Sequence, residues 1–171
     1  MAGRLLADIA TDWHCSLVEA ASRLMPAGAV YHGMNEADVQ RFLQAPFSMM
    51  GSDGLPCDPQ PHPRLWGAFP RVLGHYSRDL QLFSLSQAIH KMTGLSAQNF
   101  KLAGRGGIKV GYFADLVLFD AEKIKDNANF VQPVAQAGGI VQVYVNGGLA
   151  FDNGKACQTR HGRFLAHQPQ R

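Results

Sequence analysis

A proline-rich stretch near the middle of the chain limits its fold more than any other sequence feature. Its prolines are Pro56, Pro59, Pro61, Pro63 and Pro70. Proline fixes its own φ and lacks a backbone N–H, so neither a regular helix nor a central strand is expected to run through this stretch. Connections between elements are usually shorter, and long ones are often functional. The stretch therefore predicts a functional surface loop between regions of regular structure.

The residues before and after this loop, up to position 100, carry the spacing of helices with short strands between them. Apolar residues repeat at helical intervals. Asn35 precedes acidic residues as a helix N-cap does, and Ser84 with Gln87 predicts a capping box. Helices are predicted over residues 4–11, 15–25, 36–45, about 70–79 and 85–93. Short apolar runs at 29–31 and 47–50 predict strands, which indicates an α/β region.

The sequence changes character after residue 101, where glycine becomes frequent and strand-like runs replace helical ones. Leu116–Asp120 and Ile140–Val145 predict strands. Asn146-Gly147 is a strong signal for a tight hairpin turn before the next apolar run. The chain is therefore divided into an α/β region, 1–100, and a β-rich region, 101–171.

Charge and composition exclude several classes of function. The net charge of +3 comes from scattered Lys and Arg residues, so no nucleic-acid partner is expected. No apolar run reaches the length of a bilayer-spanning helix, and Asp8 interrupts any leader-like segment, so a cytoplasmic protein without a membrane partner is expected. The three cysteines are far apart and the seven histidines form no metal-binding pair motif. This chain alone is therefore predicted to be short of metal ligands.

Asp53 is the strongest candidate for chemistry. It follows the apolar run 47–50 and lies between the small residues Ser52 and Gly54. Active sites collect at the carboxyl ends of barrel and sheet strands, and a carboxylate there can bind a metal or transfer protons. Spacing alone, however, favours a plainer interpretation, in which Asp53 caps a turn.

The segment Pro61-His62-Pro63-Arg64 is the second candidate. Two prolines stiffen its backbone, so His62 and Arg64 are presented with little conformational freedom. The guanidinium fork of Arg64 matches both oxygens of a substrate carboxylate. In the alternative interpretation, Arg64 satisfies loop carbonyls and His62 stacks on Trp66. The loop Gly104–Gly107, by contrast, lacks the strand and helix context of a phosphate-binding site.

Several motifs resemble those of one enzyme family. They are Met50–Pro56, Pro61–Gly67, Phe69–Gly74, Lys91–Leu95, Gly111–Asp120 and Val143–Gly147. Together they resemble the N-acyl-D-amino-acid deacylases, or D-aminoacylases, of the amidohydrolase superfamily. The first motif is the most specific to the D-aminoacylase branch, whereas the last two resemble strands that many amidohydrolases share.

The resemblance implies a fold and an activity. Residues 1–100 would be the C-terminal part of a metal-dependent (β/α)8 barrel, and residues 101–171 would supply strands of a small β-domain. The implied reaction is hydrolysis of small-molecule N-acyl-D-amino acids to a carboxylate and a D-amino acid by a zinc-activated water. The chain is thus interpreted as part of a hydrolase that acts on non-peptide C–N bonds.

The resemblance also implies roles for single residues. Asp53 would bind the metal and transfer the proton, Arg64 would bind the substrate α-carboxylate, and His62 and Ser52 would complete the substrate-binding loop. The family's H-x-H pair and its other metal ligands match nothing here, and Cys57 replaces an expected polar residue. The chain resembles the last third of such an enzyme, so alone it is predicted to be inactive and to bind zinc weakly.

Two further interpretations belong to other classes. The chain could be a non-catalytic partner that completes a barrel with a separately encoded N-terminal amidohydrolase chain. It could also belong to a different amidohydrolase, such as a dihydropyrimidinase-like ring hydrolase. The motif Pro61–Gly67 argues against the ring hydrolases, since they do not share that loop.

Overall fold

The computed structural model describes residues 1–31, 33–56 and 60–166, which form a helical part followed by a small sheet. The helices are α1 (Leu6–Asp12), α2 (Leu17–Leu24), α3 (Glu36–Gln44), α4 (Arg64–Arg71), a π-helix (Val72–Asp79), α5 (Leu85–Met92) and α6 (Gly94–Asn99). The strands are β1 (Leu116–Phe119), β2 (Ile140–Val145), β3 (Gly148–Asp152) and β4 (Lys155–Ala156). They form one antiparallel sheet in the order β1-β2-β3-β4.

The helix starts that were predicted from local signals are confirmed. The Asn35 side chain accepts a hydrogen bond from the Ala37 amide at the start of α3. Ser84 and Gln87 form the predicted capping box of α5. Each bond satisfies an amide in the first turn that has no partner within the helix. Because the cap involves only neighbouring residues, the sequence pattern predicts the helix start independently of the rest of the fold.

The hairpin turn between β2 and β3 is also confirmed. Asn146 and Gly147 both have positive φ, 49° and 83°, as a tight two-residue turn requires. The turn brings Val145 opposite Gly148 and Val143 opposite Phe151.

The proline-rich stretch contains more helix than predicted. Helix α4 begins at Arg64, directly after Pro63, instead of near residue 70. Pro70 lies inside α4, and the π-helix begins two residues later, at Val72. Proline inside a helix removes a hydrogen-bond donor and crowds the preceding turn, and a wider helical turn is one way to accommodate it. The prediction that the loop extends to about Pro70 and that helix resumes only there is therefore wrong.

The strands predicted at 29–31 and 47–50 are absent from the described structure, where both segments are irregular. The amide of Met50 donates to the carbonyl oxygen of Lys91, at 3.3 Å, instead of to a neighbouring strand. A strand exists only through its ladder of bonds to other strands. Within the described residues, the first region, 1–100, contains helices and no strands. The strands β1–β4 lie in the second region and form one sheet.

A small core joins the helical part to the sheet. Its buried residues are Val72, Leu73, Tyr76, Phe83, Ala88 and Ile124. Ile124, only 1% exposed, lies after β1 and packs against the π-helix. Gly74 makes this approach possible, because a Cβ at that position would lie 2.4 Å from the Ile124 carbonyl oxygen. Arg78 Nη1 donates to the carbonyls of Ala121, Glu122 and Ile124, which fixes the same segment.

Much apolar surface stays uncovered. The chain exposes 12310 Å², whereas a compact protein of this length exposes roughly 8,200 Å². Phe42 of α3 is exposed, and so are Val117 and Leu118 of the edge strand β1. Among the described residues, none of the helices has the length and apolar character needed to cross a bilayer.

Candidate active site

Asp53 and Arg64 form an ion pair. An Nη2 of Arg64 lies 2.8 Å from Oδ2 of Asp53. The Asp53 side chain is 81% exposed and that of Arg64 is 41% exposed, so solvent reaches both groups. Asp53, predicted to transfer a proton, and Arg64, predicted to bind a carboxylate, therefore lie next to each other at the surface.

Close packing between the Asp53 loop and helix α4 creates this pair. A Cβ built on Gly54 would lie 2.7 Å from the Cα of Leu65. Only glycine permits so close an approach of two backbones. Since Leu65 follows Arg64 directly, the contact carries Asp53 to the first turn of α4.

The backbone at Asp53 has the left-handed conformation, with φ of 46°. This conformation is uncommon outside glycine, although aspartate tolerates it better than most residues, and such positions cluster at functional sites. Ser52 accepts a hydrogen bond from the Gly54 amide on its Oγ, at 3.3 Å, and so stabilises the turn. Its predicted contact with substrate stays a prediction.

His62 supports the start of α4. Its Nδ1 accepts a hydrogen bond from the Arg64 amide at 3.0 Å. The bond satisfies an amide at the helix start that has no partner within the helix. The imidazole also meets the ring of Phe130 edge-on, with 5.2 Å between centroids. His62 therefore orients the backbone that carries Arg64, and its predicted contact with substrate stays a prediction.

The described residues do not make a metal centre among themselves. In 1–31, 33–56 and 60–166 no group of three or more His, Cys, Asp or Glu side chains is arranged to hold an ion. The neighbour of Asp53 is a cation, Arg64, which does not fit a metal-ligand shell. A metal at Asp53 thus needs ligands from other residues. Cys57, singled out above as a departure from the family pattern, lies outside the described residues.

The glycine-rich loop at 104–107 serves the fold. The Arg105 guanidinium pairs with Asp115, donates to Asn146 Oδ1 at 2.6 Å and lies 4.3 Å from the Phe113 ring centroid. Asp115 also accepts from the Asn146 amide at 2.8 Å. Burial opposes ionisation of Asp115, but the Asn146 amide and the Arg105 guanidinium outweigh it and lower the pKa of the carboxyl. This network ties the loop to the β2–β3 turn.

Comparison with known proteins identifies the family. A sequence profile of the amidohydrolase family matches residues 5–151. The chain belongs to the amidohydrolase family. A D-aminoacylase from Alcaligenes xylosoxydans xylosoxydans is 51% identical over 166 residues, which are 97% of this chain and 34% of that amidohydrolase.

Two solved amidohydrolase structures are similar to the chain. A D-aminoacylase with a binuclear metal centre superposes with a TM-score of 0.90 at 51% identity, covering 94% of this chain and 34% of that one. The N-acyl-D-glutamate deacylase from Bordetella bronchiseptica, complexed with zinc and a phosphonate mimic of the tetrahedral intermediate, has a TM-score of 0.86 at 48% identity. That match covers 90% of this chain and 32% of the deacylase. The chain spans about a third of these amidohydrolases.

Proposed function

We propose that this chain supplies the C-terminal part of a metal-dependent (β/α)8-barrel hydrolase of N-acyl-D-amino acids. In this proposal Asp53 transfers the proton and Arg64 binds the substrate α-carboxylate. The supporting observation is the 2.8 Å ion pair, which places a proton acceptor beside a carboxylate-binding group. The similarity of the chain to D-aminoacylase and to N-acyl-D-glutamate deacylase supplies the substrate class.

The reaction needs one group that first accepts a proton and then returns it. Water attacks the amide carbon, and the Asp53 carboxylate takes the proton that the water loses. Asp53 then gives this proton to the amide nitrogen, the C–N bond breaks, and a carboxylate and a D-amino acid leave. The exposure of Asp53 gives both water and substrate access to its oxygens.

Arg64 determines where the scissile amide lies. In an N-acyl amino acid, the amide nitrogen is only about 2.5 Å from the α-carboxylate carbon, because two bonds separate them. A substrate carboxylate held by the Arg64 fork therefore brings the leaving nitrogen close to Asp53.

The proposal places most of the metal ligands outside the described residues. A zinc ion in such enzymes lowers the pKa of a bound water and polarises the amide carbonyl. In the proposal Asp53 is the carboxylate that this chain offers, and the remaining ligands come from a part of the enzyme that this chain does not contain; the absence of a ligand group among the described residues supports this. The proposed activity accordingly requires that part.

The test complements the chain with what it lacks. The 171-residue chain is mixed with the unmatched part of the Alcaligenes D-aminoacylase, and this complemented enzyme is assayed with zinc on N-acetyl-D-methionine and N-acetyl-D-glutamate. We expect turnover by the mixture and none by either component. Asp53→Asn should abolish turnover, whereas Asp8→Asn, which removes an exposed carboxylate on α1, should not.

Three results would contradict the proposal. They are turnover by the chain alone, unchanged turnover in the Asp53→Asn mixture, and equal turnover of the L-enantiomers. Hydrolysis of dihydrouracil in place of the N-acyl-D-amino acids would favour the ring-hydrolase interpretation. A mixture that assembles but shows no turnover would favour a non-catalytic partner.

A further inference from the structure

Lys91 is a buried lysine in the last turn of α5. Only 5% of the surface of Lys91 is exposed to solvent. Its Nζ donates to the carbonyl oxygen of Ala45 and, at 3.3 Å, to that of Ser48. No carboxylate of the described ranges 1–31, 33–56 and 60–166 pairs with it. Burial lowers the pKa of the Lys91 ammonium.

The two carbonyls explain why a cation is tolerated there. An ammonium is costly to bury unless polar groups replace its water shell. Ala45 is the C-cap residue of α3, where carbonyls lack helical partners and the helix dipole favours positive charge. The carbonyl oxygens at and after the end of α3 therefore replace the water around the Lys91 ammonium, and the ammonium supplies the hydrogen-bond donor that these carbonyls lack.

A third contact of Lys91 extends this arrangement to Met50. We call the contacts of Lys91 with Ala45, Ser48 and Met50 the Lys91 clip. The backbone carbonyl of Lys91 accepts the Met50 amide at 3.3 Å. The segment 45–50 is thus held at Ala45, Ser48 and Met50 by a single residue, although it forms no strand. Met50 also packs against the core. Asp53 follows three residues after this last attachment.

We propose that Lys91 is a positioning residue for Asp53, because its contacts with Ala45, Ser48 and Met50 set the path of the backbone into the Asp53 turn. The inference rests on the proposed role of Asp53. Arg64 is held separately, on α4 and by His62. Loss of the Lys91 ammonium therefore affects proton transfer more than carboxylate binding.

The first experiment measures the clip itself and needs no activity. Amide hydrogen exchange is compared by NMR in the 171-residue chain for wild type, Lys91→Met, Lys91→Arg and the exposed control Lys155→Met. In Lys91→Met we expect the amides of Met50 and 52–54 to exchange about tenfold faster, with β2 and β3 unchanged. Lys91→Arg, which keeps a cation, should lie closer to wild type. Equal acceleration throughout the chain, or none at these amides, would overturn the proposal.

The wild-type chain provides a second reading if Lys91→Met does not fold. Nuclear Overhauser contacts from the Lys91 side-chain methylene next to Nζ should reach Ala45 and Ser48. If they are missing, the clip does not exist and the proposal fails.

The complemented enzyme tests the consequence for catalysis. For Lys91→Met we expect kcat to fall at least about tenfold while KM stays within about twofold. An unchanged kcat beside an inactive Asp53→Asn mixture would refute the positioning role and leave the proposed function intact. If the wild-type mixture itself is inactive, the proposed function fails, and the exchange data still decide whether the clip exists.

Discussion

The guanidinium of Arg64 lies against the carboxylate of Asp53, with 2.8 Å between Nη2 and Oδ2. In the proposed function, a substrate carboxylate therefore competes with Asp53 for the same cation. In that proposal, substrate that displaces Asp53 from Arg64 also removes the cation that is paired with the aspartate, so that Asp53 oxygen is freed to accept a proton. Substrate binding and the release of the proposed base are in this way one event.

Replacing Arg64 by methionine should weaken substrate binding in the complemented enzyme. The substitution removes charge-assisted hydrogen bonds to the α-carboxylate, so we expect KM to rise about 10- to 100-fold, with a smaller effect on kcat. Steady-state kinetics on N-acetyl-D-methionine measure both values. Arg23→Met, on the exposed face of α2, serves as the control. An unchanged KM would remove Arg64 from the binding site.

Gly54→Ala should separate the Asp53 loop from α4. The new Cβ would collide with backbone, 2.7 Å from the Cα of Leu65, so the loop has to move away. We expect activity of the complemented enzyme to fall at least about tenfold, since a displacement of about an ångström is enough for that. Gly51→Ala is the matched control, because no atom lies within 4 Å of its added Cβ. If the two variants are equally active, the Gly54–Leu65 contact does not position Asp53.

Acid should weaken the fold partly through Asp115. Its pKa is lower in the folded chain than the ordinary value of 3.8, so the unfolded chain takes up the proton first. The carboxylate therefore stabilises the fold at pH values above 3.8, and this contribution is lost as the pH falls through the folded pKa. Urea unfolding followed by circular dichroism should show a steeper loss of stability between pH 5 and about pH 3 in wild type than in Asp115→Asn. Parallel pH profiles for the two proteins would show that Asp115 does not contribute.

The uncovered apolar surface should make the isolated chain associate with itself. Strand β1 is an edge strand whose Val117 is 55% exposed, and an apolar edge of this kind pairs readily with other strands. Dynamic light scattering should detect oligomers that Val117→Lys reduces. Addition of the unmatched part of D-aminoacylase should lower the binding of an apolar dye. A monomeric chain that binds no dye would contradict this expectation.

The sequence predicted those elements whose signals are local. The capping box of Ser84 and Gln87 and the turn at Asn146-Gly147 involve only neighbouring residues, and both are confirmed. The predictions of strands at 29–31 and 47–50 are wrong, because an apolar run forms a strand only where another strand lies beside it to accept its hydrogen bonds. The start of α4 was missed because Pro61 and Pro63, just before Arg64, predict a loop.

For the candidate site as well, the sequence identified individual residues but not the contacts that bring them together. Asp53 and Arg64 were identified through a family resemblance, whereas spacing left each with a plainer alternative. Their proximity depends on the contact of Gly54 with Leu65, which no local pattern reveals. Lys91 was missed as well, because burial of a lysine against the end of another helix leaves no sequence signature.

The π-helix makes the length of one segment as important as its residues. Insertion or deletion of a single residue between Val72 and Gly74 would turn the rest of this π-helix by roughly a quarter of a turn around its axis. Arg78 would then point away from the three carbonyls it now joins, and Gly74 would no longer face Ile124. Variants of this family are therefore expected to tolerate changes of side chain here far better than changes in the number of residues.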